Sequence, residues 1–213
     1  MGLKRRIDLV KDFMRHLRTK YVTGFEPPGR PLLDPDTLDW LTSQLKRTSF
    51  YLEFGCGGTT VLASSLRVRT ISVESDARYA AIVRAALPHP ESTQILVPSM
   101  GLTGPWGMPL FFAGRKGLRY INAPFDNLTA EFPDLIFVDG RYRVACALVS
   151  ACHAARAGLT SKLLFDDYEL RDQYHVVEKY LGTSERIGRA ALFSVGARQI
   201  PREAIYKHAI DPR

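Results

Sequence analysis

Cysteine is scarce in this chain. Its 213 residues hold three, Cys56, Cys146 and Cys152, and no CxxC pair. That spacing excludes a disulfide framework and makes a reducing, cytoplasmic compartment the expectation. No apolar run is long enough to span a bilayer. The N-terminal "MGLKRRIDLVKDFMRHLRTK" lacks the continuous apolar core of a secretory signal. It begins Met-Gly, but Arg6 stands where a myristoylation signal needs Ser or Thr. The five histidines show neither HxxxH nor Cys/His spacing, which argues against zinc. A Walker phosphate loop, a GxSxG elbow and an RNA-binding signature are all missing. So are internal repeats and low-complexity segments.

What is present suits one ordinary globular domain, with 46% hydrophobic residues. The formal net charge is +7. Much of the excess lies early, in Lys4, Arg5, Arg6, Lys11, Arg15, Arg18 and Lys20. Leu3, Ile7, Val10, Met14 and Leu17 recur among them at helical spacing. The pattern predicts an amphipathic helix packed on the domain with a solvated basic face. A contact with nucleic acid or an anionic membrane is the sharper alternative. A Pro/Gly connector, "GFEPPGRPLL", follows, so the chain divides into a basic helix and connector over 1–30 and a domain over 31–213.

In the domain, "DPDTLDWLTSQL" reads as a helix capped by Asp34 with Pro35 in its first turn. Strands and helices then alternate. "FYLEF", "TISVES", "TQILVP", "DLIFVD" and "KLLFDD" read as strands. "TTVLASSL", "ARYAAIVRAAL", "RVACALVSACHAARAG" and "DQYHVVEKYL" read as helices. This order predicts an α/β fold: a doubly wound, Rossmann-like, mostly parallel seven-stranded sheet with helices on both faces. "ALFSV" and "AIYKHAI" read as two closing strands in an antiparallel hairpin at the sheet edge. The region from Met100 to Pro133, containing "GLTGPWGMP", shows little periodicity and reads as a long irregular loop.

"YLEFGCGGTT" carries a strand into a helix. Gly55, Gly57 and Gly58 let the backbone turn tightly and approach a ligand. Glu53 ends the strand, and Glu74 ends the next, about twenty residues on, where an acid takes ribose hydroxyls in doubly wound folds. A dinucleotide fingerprint wants a small residue where Thr60 stands, and an acid at Glu53 suits a cationic ligand better than a pyrophosphate. S-adenosylmethionine has a sulfonium and an ammonium and no phosphate, so the acid-x-Gly-x-Gly-Gly pattern favours it. An unliganded tight turn is the bland alternative.

With "YLEFGCGGTT", "ISVESD", "DLIFVDG" and "LLFDDY", the chain from about Asp34 onward resembles the class I S-adenosylmethionine-dependent methyltransferases. The resemblance implies a donor site around Glu53, Gly55, Cys56, Gly57, Thr59 and Thr60, with Glu74 and Ser75 at the ribose and Val97–Met100 beside the adenine. Asp139, Asp166 and Asp167 close two neighbouring strands, roughly 4.8 Å apart, so three carboxylates can converge. Here the chain is most similar to the metal-dependent O-methyltransferases of the catechol, caffeoyl-CoA and antibiotic-sugar types. That likeness implies Mg²⁺ on Asp139, Asp166 and Asp167, holding and acidifying a substrate hydroxyl.

The catechol-type enzymes place a Lys base shortly after the fourth-strand Asp, whereas this chain has "DGRYR". Arg141 or Arg143 can clamp an anionic acceptor but cannot serve as a base. Asp139 and Arg141 are the candidate catalytic residues, with Tyr168 and His175 as fallback bases. The alternative for the acidic cluster is metal-free: Asp139 orienting donor or substrate, Asp166 capping a helix, and Asp167 paired with Arg171 or Arg141. Trp106 either closes over a substrate or plugs its loop into the core. The expected function is methylation of a small-molecule acceptor, a hydroxyl first. The rivals are an NAD-linked oxidoreductase on the same fold and a methyltransferase-like binding module. Acceptor identity and homo-oligomerisation stay open.

Overall fold

The computed structural model describes Lys11 and residues 13–109, 113–126, 128 and 131–212. Lys4, Arg5 and Arg6, and with them most of the expected basic helix, lie outside the described residues. Residues 13–18 are helical and run into a π-type turn over Thr19–Thr23. Lys20 does not join a solvated basic face. It is buried and donates to Asp76 and Thr103.

Seven strands form one sheet in the order β3-β2-β1-β4-β5-β7-β6. They are β1 (Phe50–Phe54), β2 (Arg69–Val73), β3 (Thr93–Leu96), β4 (Leu135–Val138), β5 (Ser161–Phe165), β6 (Glu185–Ile187) and β7 (Ala190–Val195). The first five pair in parallel, and β7 runs antiparallel to both β5 and β6. The helices are α1 (Pro35–Leu45), α2 (Gly58–Ser65), α3 (Ala77–Ala85), α4 (Ala113–Asn122), α5 (Arg143–Ala157), α6 (Glu178–Leu181) and α7 (Arg202–Ala209). The strand period of two sorts side chains onto the two faces. Leu52, Phe54, Ile136, Val138, Leu163 and Phe165 enter one core with α4, α5 and α7. Tyr51, Leu135, Phe137 and Leu164 enter the other with α1 and α2. Asp34 caps α1 as expected, accepting from the Thr37 amide at 3.1 Å.

The C-terminal hairpin exists, but its strands are β6 and β7. The "AIYKHAI" segment is helix α7, not a strand. Ala204, Ile205 and Ala209 are buried while Tyr206 is exposed, a helical period. Pro201 at the start, Glu203 in the first turn and Lys207 and His208 in the last are helix signals that the apolar letters masked.

The expected long loop contains helix α4. Gly117 in the middle of α4 is the point where it meets α7. A Cβ there would lie 1.9 Å from the Ala209 carbonyl oxygen. The two misread elements therefore pack on each other through a glycine that permits close approach. "DQYHVVEKYL" is helical, but its first part is a 3-10 turn over Asp172–Val177 that leads into α6.

Candidate functional site

The carboxyl ends of β1, β2, β4 and β5 gather the candidate site carboxylates Glu53, Glu74, Asp139, Asp166 and Asp167. At the end of β1 the chain turns through Gly55, whose φ is 99°. A Cβ on Gly55 would sit 2.8 Å from the Cα and amide nitrogen of Gly140. The glycine turn and the Asp139–Gly140 corner after β4 are thus in backbone contact, and only glycine fits either side.

Glu53 lies beneath this turn rather than in the crevice. It is fully buried, and Tyr51 and Thr59 donate to Oε2 at 3.1 and 2.8 Å, with Thr60 on Oε1. Thr60 Oγ1 also accepts from the Gly57 amide at 2.8 Å. Burial raises the Glu53 pKa, and the hydroxyls from Thr60, Thr59 and Tyr51 oppose that rise. Glu53, Thr59 and Thr60 therefore shape the turn, and Thr60 replaces a small residue because its hydroxyl ties the helix start to Glu53. Gly58 takes the connector on its other side, since a Cβ there would meet Pro31 N at 2.7 Å.

Glu74 follows β2. Its Oε1 accepts from the Ser75 and Asp76 amides at 2.6 and 2.8 Å and from Ser75 Oγ at 3.0 Å. The Cys56 thiol, buried and pushed well up in pKa by that burial, lies 3.5 Å from Oε2. Burial likewise raises the Glu74 pKa. The loop carrying Trp106 lies directly over this acid. A Cβ on Gly107 would meet Ser75 Oγ at 2.0 Å and Glu74 Oε1 at 3.4 Å. Arg141 Nε donates to the Trp106 carbonyl at 2.5 Å, and Thr103 donates to Asp76 at 2.9 Å. Trp106 itself is 80% exposed with φ 57°, so it does not plug the loop into the core. In the expected adenine segment, Val97 is exposed but Met100 is part of the main core.

Asp139, Asp166 and Asp167 do converge: each offers a ligand oxygen within 4.8 Å of the others. Each also carries an arginine. Arg143 reaches Asp139 at 2.7 Å and Asp167 at 3.2 Å. Arg171 reaches Asp167 at 2.9 Å. Arg189 grips Asp166 with Nε at 2.9 Å and Nη2 at 2.8 Å. Asp166 therefore pairs with Arg189 rather than capping a helix, and Asp167 pairs with Arg171 and not with Arg141. So paired, the cluster does not fit a divalent cation, because its negative charge is already matched. Asp139 keeps 38% of its side chain exposed, yet the surrounding protein raises its pKa to about 7. Desolvation is the main cause, and the Asp166 and Asp167 charges add to it against Arg143.

Arg143 is buried, with four of its five N–H donors already engaged by protein acceptors. Arg141 differs: among the described residues no carboxylate lies within ion-pair distance of it. Burial, and then the charge of Arg143, lowers its pKa. Tyr168 is fully buried with its pKa pushed far up by desolvation, and His175 Nε2 lies 3.0 Å from the Tyr168 carbonyl, so it donates there. Arg189 was not anticipated. The β5–β7 register, Phe165 opposite Ala191, carries it beside Asp167 when extended by two residues, and that is the signal that would have found it.

A methyltransferase-like protein from Silicibacter pomeroyi has this structure with a TM-score of 0.75 and 34% identity, over 88% of this chain and 99% of its own. The chain belongs to the class I methyltransferases. The methyltransferase fold is also that of an O-methyltransferase from Bacillus cereus in complex with S-adenosylhomocysteine. That protein matches at 12% identity and a TM-score of 0.52, over 88% of this methyltransferase and 99% of its own chain, a likeness of fold alone. No protein-family model matches the chain, and no curated protein matches it. Among the described residues, no helix of this methyltransferase is long and apolar enough to cross a membrane.

Proposed function

We propose that the protein methylates a hydroxyl of a small, anionic acceptor with S-adenosylmethionine as donor. The observation that carries this reading is the back-to-back contact of the Gly55 turn with Asp139–Gly140, 2.8 Å from a Cβ position to backbone. It sets a titratable carboxylate beside a turn that admits a ligand closely. The residues suit the donor: a glycine cradle, a buried ribose acid in Glu74 and no phosphate-binding cation in the turn.

When bound, S-adenosylmethionine supplies a methyl group already activated by its sulfonium. The chain then has to bind, orient and deprotonate the acceptor. Glu74 accepts from ribose hydroxyls once the Gly107 loop has lifted. Arg141, lacking a carboxylate partner among the described residues, takes the acceptor's anionic group. Asp139 takes the hydroxyl proton, and a pKa near 7 suits a general base at neutral pH. Holding acceptor oxygen and methyl group in line is itself a large part of the rate gain.

Isothermal calorimetry tests the donor reading. Binding of S-adenosylhomocysteine with no binding of NAD is the expected result, and tight binding of NAD alone would end it.

A further inference from the structure

We infer that Arg143, supported by Arg189 and Arg171, occupies the place a catalytic cation would take, so that this member of the fold works without a metal. The inference rests on the donor-site reading only for its catalytic consequence; the structural statement stands by itself.

The local chain explains how Arg143 arrives there. Tyr142 adopts a left-handed conformation, φ 55° and ψ 37°, immediately before α5. That turn brings the first residue of the helix back across the ends of β4 and β5. The Arg143 side chain is then committed in four directions. Nε donates to the Gly140 carbonyl at 3.1 Å and Nη1 to the Asp166 carbonyl at 2.9 Å. Nη1 also donates to Asp167 Oδ2 at 3.2 Å, and Nη2 to Asp139 Oδ1 at 2.7 Å. Four of the five N–H donors of a guanidinium are used, and the residue is nearly buried. Like a metal, it bridges two carboxylates from adjacent strands. Unlike a metal, it keeps no exchangeable position for a substrate oxygen.

Charge makes the same point. Three guanidiniums hold the three carboxylates, with Asp34 a further contact of Arg189 at 4.0 Å, so a dication would leave this partly buried cluster with excess positive charge. Arg189 holds Asp166 in a two-pronged grip that covers both oxygens. The chemistry left to the cluster is to aim Asp139 at the glycine turn. Arg143 is thus a positioning residue, acting through Asp139.

Titration of Mn²⁺ into the wild-type protein, followed by electron paramagnetic resonance, tests this directly. No binding at millimolar Mn²⁺ is expected, and no change in thermal midpoint between Mg²⁺ and EDTA. Arg143→Met/Arg189→Met, which strips the carboxylates of their main partners, should gain Mn²⁺ affinity by at least about tenfold. A purely structural arginine predicts no such gain. Arg143→Lys, which keeps the charge, should stay metal-free.

Stoichiometric Mn²⁺ binding to the wild type that Asp166→Asn abolishes would overturn the inference. So would a folded double variant that still binds no metal. Should the double variant fail to fold, the wild-type titration decides alone. S-adenosylhomocysteine binding in EDTA, measured on the same samples, separates the two readings. Its absence with and without metal sinks the donor reading and leaves this one standing. Binding that appears only with Mg²⁺ sinks this one and spares the donor reading.

Discussion

Asp166 is fully buried, and its carboxylate depends on Arg189 at 2.8 and 2.9 Å. Arg189→Met keeps most of the aliphatic length and removes the charge. Breaking a buried ion pair from one side costs about 3–5 kcal/mol, because the remaining charge is stranded. Arg189 keeps 28% exposure, so water screens its end and the lower limit applies, about 3 kcal/mol. For a chain of this size that lowers the melting temperature by about 6–12 °C. Thermal and urea unfolding by circular dichroism would measure it. Asp166→Leu/Arg189→Met should return most of the loss, since an apolar pair replaces a buried ionic one at little cost. A drop of less than about 2 °C for Arg189→Met would refute the stranded-charge reasoning.

Glu74→Gln replaces a charged acceptor with a neutral one, which on the proposed reading removes about 1.5–3 kcal/mol from ribose binding. Calorimetry should show S-adenosylhomocysteine binding weakened roughly 10- to 150-fold; unchanged affinity would place the ribose elsewhere. Asp139 titrates near pH 7 when folded, well above its ordinary range. Its proton is held more tightly in the folded state, so wild-type stability from this group is present at acid pH and is lost as pH rises toward 7. Asp139→Asn lacks that loss. Urea midpoints across this window should therefore fall for wild type relative to the variant; parallel curves would contradict the raised pKa.

Four of the five parallel strands were legible because each is an apolar run closed by a chemical landmark: Glu53-Gly55, Glu74, Asp139 and Asp166-Asp167. The helices between them carry plain periodicity. What failed depends on contacts across the fold. Helix α4 was read as irregular loop, and the Ala209 carbonyl that seats it against Gly117 exists only in the folded chain. "AIYKHAI" has strand-like letters, but its Ala204, Ile205 and Ala209 face is fixed by packing on α5 and α4. In the site, the three aspartates could be placed from strand ends, because chain order alone brings β4 beside β5. Their partners could not. Arg143 needs the left-handed Tyr142 to swing it inward, and Arg189 needs a hairpin register that begins beyond β5. Glu53 was placed one layer too high, since nothing in "YLEFGCGGTT" says that three hydroxyls saturate it.

The roof over Glu74 has a kinetic consequence. It is fastened by residues far apart in the chain: Thr103 and Lys20 on Asp76, and the Trp106 carbonyl on Arg141. Any ligand that is to reach Glu74 finds only the fraction of molecules in which these fastenings have let go. Its apparent affinity is its intrinsic affinity reduced by that fraction. Its departure waits on the same opening. Arg141 belongs to both sides of this balance. On the proposed reading, an acceptor anion that draws the guanidinium away from the Trp106 carbonyl unfastens the roof as it binds, so occupancy of the acceptor subsite and the residence time of the adenosyl ligand would be coupled through one side chain.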